Sequence, residues 1–400
     1  MNTHVRRWAL LSVLVAALLA GLILWLGHVS AIGSTAEPID RYDEPIVVTG
    51  AELSALQGTP TDELFVYAYR GNTWQQIPFQ VDEKASGVYT STQGNPLDHD
   101  DEIVAMASDL GDRPSMETIA ASLPISQTWY RIDVSDPLSP SAKGWAYVVR
   151  SASLTKSFTQ TYASFDPMTE RISTSHYDLG FLSGQQGFDH LALNGSGKDI
   201  LDRTKIRIEL FGGVVTYTED DNVLDAPDPV PVKNGPVRVI VPGRGVVGYR
   251  TMFVIQVGGD LPLEPTAVRL STDFNADVVP ATYYDANTSS GVSIDGEPDD
   301  VPDTPLSSWR QVSSDSGSLV QVSDTSGSGG TPTNYYRDDA SLDNDDTGDR
   351  KSYGDMGARV EDPNQLISYT SLLFVLPGSA SNVGEQYQAW TSQPLEVTAV

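Results

Sequence analysis

The chain has 400 residues, of which 40% are hydrophobic, with 34 Gly and 25 Pro; it is too apolar for wholesale disorder and too irregular for a collagen repeat. Its 53 acids against 25 Lys and Arg leave a formal charge of −28, a field that repels phosphate backbones and excludes nucleic acid as a partner. Without cysteine it has no disulfide, thiolate metal site, iron–sulfur cluster or Cys nucleophile.

The first expected element is a membrane segment. Arg6 and Arg7 precede an apolar run over residues 8–27 in which Ser12 is the only polar side chain. Twenty helical residues rise about 30 Å, the thickness of a bilayer's hydrocarbon core. The two arginines put residues 1–7 in the cytoplasm as a short tail and the rest of the chain outside. Two fates are open. The length favours a retained single-pass anchor in the cell membrane, whereas Val29-Ser30-Ala31 offers a small-residue site for cleavage and secretion. Either way the expectation is export. Removing residues 1–33 leaves 53 acids against 23 bases, a net of −30. Such a charge keeps an exported protein soluble and monomeric and suits binding of Ca²⁺.

After a linker over residues 28–38, strands dominate. Residues 64–69 and 74–81 are apolar and aromatic runs parted by Gly71 and Asn72, a hairpin signature. In residues 205–210, Ile206, Ile208 and Leu210 share one face while Lys205, Arg207 and Glu209 share the other, which predicts a half-buried strand. Gly212 and Gly213 then turn the chain into residues 214–218. Similar runs occupy 130–134, 146–149, 237–241, 251–257, 319–322, 371–376 and 395–400. Helical signals are few: Ser115 can cap a helix that Pro124 stops, and residues 51–56 suffice for a turn or two. Many strands with Gly and Pro turns predict an all-β, antiparallel β-sandwich architecture. The expected division is an N-terminal β-domain over residues 39–142 and a larger β-sandwich domain over 143–400. Acidic loops are expected at 285–305 and 338–355, and residues 313–330 read as a further polar excursion.

Gly243, Gly245 and Gly248 match the dinucleotide fingerprint in spacing, but the residues after them are aromatic and β-branched, so the glycines are read as a hairpin turn. In the acidic run 343–349, Asp343, Asp345, Thr347 and Asp349 offer oxygens at alternate positions beside Gly348, the way a short loop wraps Ca²⁺. The twelfth position is Gly354 where a bidentate Glu belongs, so Asp338, Asp339 or Asp355 has to complete the set. A solvated acidic loop is the plainer reading.

For catalysis, Asp101 and Glu102 close the cluster 98–102 and, beside Asp82 and Glu83, offer paired carboxylates for acid and base work on a sugar. His176 and His190 are the alternative bases, for abstracting a proton from a uronic acid. No HExxH or GxSxG motif accompanies them. Trp74, Trp129, Trp145, Trp309 and Trp390 suit carbohydrate stacking if exposed and a β core if buried.

Four stretches recur in a familiar order: residues 41–46 (Arg-Tyr-Asp-Glu-Pro-Ile), 77–82 (Ile-Pro-Phe-Gln-Val-Asp), 101–104 (Asp-Glu-Ile-Val) and 109–111 (Asp-Leu-Gly). That order resembles the N-terminal β-domain of exported bacterial proteins related to a DUF4861-type family, itself similar to rhamnogalacturonan-lyase-like supersandwich proteins. The resemblance covers about residues 40–135, rests on structural motifs and carries over no catalytic residue; residues 84–98 are an insertion against it. Residues 309–312, 335–339, 347–349 and 353–354 resemble uncharacterised exported bacterial proteins. The resemblance implies a supersandwich-like fold. The leading expectation is a non-catalytic cell-surface module that binds carbohydrate and Ca²⁺; the alternative is a polysaccharide lyase or glycoside hydrolase acting on an extracellular glycan.

Overall fold

Alternation along single strands builds the first sandwich. In Leu64–Arg70, Leu64, Val66 and Ala68 point to one side and Phe65 and Tyr67 to the other. The first set meets Ile46, Val48, Ile103 and Ala105 of a three-stranded sheet ordered Pro45–Thr49, Glu102–Met106, Phe79–Asp82. The second set meets Tyr147, Val149 and Ile119, the last from the helix Met116–Ser122. Ser115 caps that helix as expected, its hydroxyl accepting from Thr118 N at 3.1 Å. Leu64–Arg70 belongs to a five-stranded sheet ordered Glu396–Ala399, Trp129–Asp136, Ser139–Arg150, Leu64–Arg70, Thr73–Gln76. Its last hairpin turns on Gly71 and Asn72 with φ of 56° and 63°, the two positive values that a two-residue turn between twisted strands demands. The end of the chain thus completes a sheet begun at Leu64, and position 143 lies inside the strand Ser139–Arg150.

These elements come from a computed structural model that describes residues 36–400, apart from 93, 124–127, 195, 226–227, 229, 244, 259–262, 326–328, 342–345 and 364–365. The apolar segment 8–27 lies outside the described residues; among those described, no helix is long and apolar enough to cross a membrane. Contacts divide the chain after Pro38, and everything below concerns the unit Ile39–Val400.

The second sandwich is larger. A nine-stranded sheet runs Lys233–Asn234, Val239–Val241, Gly245–Val247, Arg250–Gly258, Leu366–Pro377, Gly317–Asp324, Trp309–Ser314, Ala281–Asp285, Val292–Ile294. A five-stranded sheet runs Val215–Thr218, Leu201–Leu210, Ala267–Phe274, Ser352–Glu361, Thr331–Asp339. A four-stranded meander comprises Ala163–Asp166, Arg171–Thr174, Tyr177–Phe181 and Phe188–Leu193. One core joins all three: Ile206, Ile208 and Leu270 from the second meet Phe253, Val312 and Leu373 from the first and Leu179 and Leu191 from the third. Among the described residues every strand pairing is antiparallel, so the all-β, antiparallel, sandwich-like architecture stands. Of the glycines after Val241, Gly243 lies in the turn of a hairpin, Gly245 pairs with Val241 in its second strand and Gly248 follows that strand.

Two expectations change. The polar face of residues 205–210 is covered at its first two positions: Lys205 is 0% and Arg207 8% exposed, because Glu219 and the segment from Asp346 to Lys351 close over them, whereas Glu209 stays partly exposed. Nor are residues 313–330 mainly an excursion, since Trp309–Ser314 and Gly317–Asp324 pair in the interior of the nine-stranded sheet. Small hydroxyl residues serve there because another segment comes close: Ser313 Oγ and Ser318 Oγ both accept from Ala380 N, at 3.1 and 2.8 Å. The helix Gly384–Ser392 carries no clear sequence periodicity and was missed. It covers the outer face of the same sheet, with Tyr387 4.7 Å from the Phe374 ring. A Cβ at Gly384 would lie 1.9 Å from the Trp309 ring, so only glycine admits that approach.

Candidate functional site

The strand Phe79–Asp82, residues 156–164 and the short strand Lys233–Asn234 enclose a groove of about 730 Å³, a size suited to a small organic ligand. Its apolar lining includes the half-buried Phe158 ring, which meets the buried Phe79 ring edge to face at 5.8 Å. Gln80 fixes the strand to the opposite wall: its Oε1 accepts from Val237 N at 2.8 Å and Arg238 N at 2.9 Å. A Cβ at Gly235 would lie 2.3 Å from that oxygen, so the wall needs glycine there.

Asp62, Glu83, Lys156, Lys233 and Asn234 supply the polar lining. Lys156 Nζ stands 5.0 Å from the centre of the Phe79 ring, and Lys233 Nζ donates to the Val81 carbonyl. Desolvation lowers the pKa of both ammoniums, against the opposing pull of Asp62 on the first and of Asp82 and Glu83 on the second. Glu83 Oε1 accepts from Gly94 N at 2.6 Å and Asn95 N at 3.2 Å, while its buried Oε2 accepts no hydrogen bond. The groove therefore offers the half-buried Phe158 ring among donors and acceptors, while Phe79 is 1% exposed and belongs to the core.

The four residues considered for catalysis fall in three neighbourhoods, and none lines the groove. Asp101 is 2% exposed; its Oδ1 accepts from Lys84 N at 2.9 Å and its Oδ2 from Asp98 N at 2.8 Å, which pins a turn. Glu102 accepts from Lys84, from Tyr89 OH at 2.9 Å and from Arg238 Nη2 at 2.5 Å. Arg238 Nε donates in turn to Asp82 Oδ2 at 2.8 Å. Burial pushes Glu102 up, but Lys84 and Arg238 outweigh it and hold the carboxyl below its ordinary range; at the more deeply buried Asp82 burial wins and the shift is upward.

His176 stacks on Tyr249 with centroids 4.4 Å apart, and its buried Nδ1 has no hydrogen bond. His190 Nδ1 lies 2.6 Å from Asp199 Oδ2, while Asp199 Oδ1 accepts from Leu191 N at 2.9 Å, so the pair ties a strand to the turn after it. Of the tryptophans, Trp309 is buried, Trp74, Trp129 and Trp145 pack on the core with the first helix, and Trp390 lies against Tyr387 and the Arg41 guanidinium.

Asp343 and Asp345 lie outside the described residues. Thr347 Oγ1 hydrogen-bonds Glu219 and accepts from Arg207 Nη2 at 2.8 Å, whereas exposed Asp349 takes Lys351 N at 2.8 Å on its Oδ1. Asp338 and Asp339 cap Gly296 N and Ser341 N at 3.0 Å each. From the same acidic run, Asp346 turns inward onto the polar face of the five-stranded sheet, which sequence reasoning took for a solvated one. There Lys205 Nζ donates to Asp273, to Asp346 Oδ2 at 2.9 Å and to the Lys351 carbonyl at 3.3 Å, with Asp202 Oδ2 at 3.6 Å. Arg207 bonds Glu219 and Asp346. Asp355 is 0% exposed, and neither of its carboxylate oxygens accepts a hydrogen bond; Arg269 Nη2 stands 3.9 Å away. Carboxylate oxygens of Asp273, Asp346 and Asp355 lie within 4.8 Å of one another. Burial and the neighbouring Asp355 drive the Asp273 pKa well up. Sequence reasoning missed Asp273; the signal that could have found it is an acid inside the otherwise strand-forming run Ala267–Phe274.

A scan against protein-family models finds no match to this chain, and a search of curated proteins finds no similar sequence.

Proposed function

We propose that this protein is an exported, cell-surface β-sandwich module, held by its N-terminal segment, that binds an extracellular carbohydrate in the groove beside Phe79 without altering it. The observation that carries the reading is the groove itself: about 730 Å³, with the half-buried Phe158 ring and exposed Asp62, Lys156 and Asn234 in its lining. Sugars present one apolar ring face and a fringe of hydroxyls, and this lining complements both. That Asp101, Glu102 and His190 hold turns and strands, away from the groove, favours binding over cleavage. In the same reading the sheets are layers of a supersandwich of the kind found in rhamnogalacturonan-lyase-like proteins.

Calorimetric titration of the full chain in detergent with neutral and acidic oligosaccharides tests the proposal. Heat that saturates, with affinity weakened roughly tenfold (about 1.4 kcal/mol) by Lys156→Ala or Asn234→Ala, is the expected result. Absence of heat with every glycan, or release of reducing or unsaturated sugar ends, refutes it.

A further inference from the structure

The polar face of the five-stranded sheet is short of positive charge. Asp202, Glu219, Asp273, Asp346 and Asp355 bring five carboxylates together, while Lys205, Arg207 and Arg269 bring three cations. Among these described residues, with every acid counted as ionised, the deficit is two charges, the amount one divalent ion supplies. Asp355 marks where it falls. Its neighbours Lys205 and Arg207 spend their hydrogen bonds on Asp273, Asp346 and Glu219, and both Asp355 oxygens are left buried without a donor. Desolvating an ionised carboxylate without a partner costs several kcal/mol, so the arrangement asks for a ligand. Ser271, two residues from Asp273 on the same strand face, also has a buried hydroxyl with no hydrogen bond.

We propose that Asp273, Asp346 and Asp355 bind one Ca²⁺ ion, which fastens the segment 346–351 to the five-stranded sheet. Three carboxylate oxygens within 4.8 Å of one another are spaced as ligands 2.3–2.6 Å from a common Ca²⁺ centre are. The donors are all hard oxygens, with no histidine among them, which selects against zinc and copper. Burial decides between the two common hard dications: an ion held here sheds most of its water, which Mg²⁺ does reluctantly and Ca²⁺ readily. Lys205 bonds two of these carboxylates, Asp273 and Asp346, so the proposed ion takes the side facing Asp355, whose oxygens no donor reaches. The other trio among the described residues close enough for a shared ion, Asp98, His99 and Asp100, is largely exposed, and its carboxylates already accept from Asp100 N at 3.1 Å and Gly87 N at 2.8 Å.

The proposal stands independently of the groove. The test is thermal unfolding of the full chain, stripped with chelator and then returned to excess Ca²⁺ or excess Mg²⁺, together with metal analysis after dialysis. The expected result is about one calcium per chain and a Tm raised by several degrees in Ca²⁺, with less gained in Mg²⁺. Asp355→Asn abolishes both effects, while Asp100→Asn leaves them intact. Should Asp355→Asn fail to fold, Asp346→Asn, nearer the rim, reads the same loss. Any of three results overturns the proposal: no calcium and no shift, an equal shift in Mg²⁺, or a shift that survives both Asp355→Asn and Asp346→Asn. Repeating the glycan titration in chelator separates the two readings, since groove binding persists there whether or not the ion site exists.

Discussion

Two buried ionic clusters in this protein are built from the same side chains and reach opposite balances. Around Arg238, the carboxylates of Asp82 and Glu102 meet the cations of Arg238 and Lys84, and the charges cancel inside the cluster. Around Lys205, carboxylates outnumber cations and Asp355 is left over. The first cluster fastens the three-stranded sheet to the segment leading into the nine-stranded one. The second lies on a sheet face that Glu219 and the segment 346–351 close over. A balanced network is complete as a fastener, whereas an unbalanced one depends on something added: a proton, or the ion proposed above.

The largest effect that sharpens this contrast comes from removing each central cation. Arg238→Met strands two buried carboxylates and is expected to cost about 3–5 kcal/mol, equally in Ca²⁺ and in chelator. Lys205→Met is expected to cost a similar amount, about 3–5 kcal/mol, in chelator and clearly less in Ca²⁺, because the ion replaces part of the lost charge. Urea unfolding of both variants under both conditions checks this. A calcium-dependent loss at Arg238 would break the distinction.

Much of the architecture was legible because alternation and turn chemistry act locally. Leu64 to Arg70, the Gly71-Asn72 turn, the Ser115 cap and the hairpin before Gly245 all follow from residues close in sequence. The second cluster was not legible in that way. The period-two pattern at 205–210 identifies two faces correctly but cannot say that Glu219 and Asp346 will fold over the polar one. Those partners lie 12 to 141 residues away from Arg207 and Lys205. The acidic run at 343–349 offers oxygens at alternate positions, but the pattern does not say which of them turns inward. Thr347 and Asp349 hold their own loop, and the inward acid is Asp346. The groove was invisible for a related reason: its walls come from residues 61–83, 156–164 and 232–236, which no short window contains.

A smaller effect lies in the acid limb of the balanced cluster. Glu102 has a folded pKa below its ordinary value, so its contribution is present above about pH 4.5 and is lost as pH falls through the lowered folded value. Asp82 runs the other way: its raised folded pKa favours the folded state below the ordinary aspartate value, and that gain disappears as pH rises through the folded one. The two partly compensate. Glu102→Gln therefore removes the acid-labile half, and the variant's stability is expected to fall less than that of the parent between about pH 5 and pH 3. Urea midpoints across that range measure it, and a steeper fall in the variant contradicts the assignment.

The smallest expected effect comes from a pair on the same five-stranded sheet but outside the cluster. Arg359 reaches Glu209 with two nitrogens, one of them 2.8 Å from Oε2, and bonds Glu361 with a third, 2.6 Å from Oε1. Hydrogen bonds from Arg359 lower the Glu209 pKa, so here too the contribution is present at neutral pH and lost on acidification. Yet both side chains keep contact with water, at 29% and 22% exposure, and solvent screens them. Glu209→Gln is expected to cost about 0–1 kcal/mol and to lose even that in about 1 M salt, where the screening length falls to about 3 Å. Arg238→Met, measured beside it, keeps its full penalty in the same salt because its partners are buried. If both penalties fell together with added salt, burial would not be what separates a structural ion pair from a decorative one in this protein, and the case for a charge deficit at Asp355 would weaken with it.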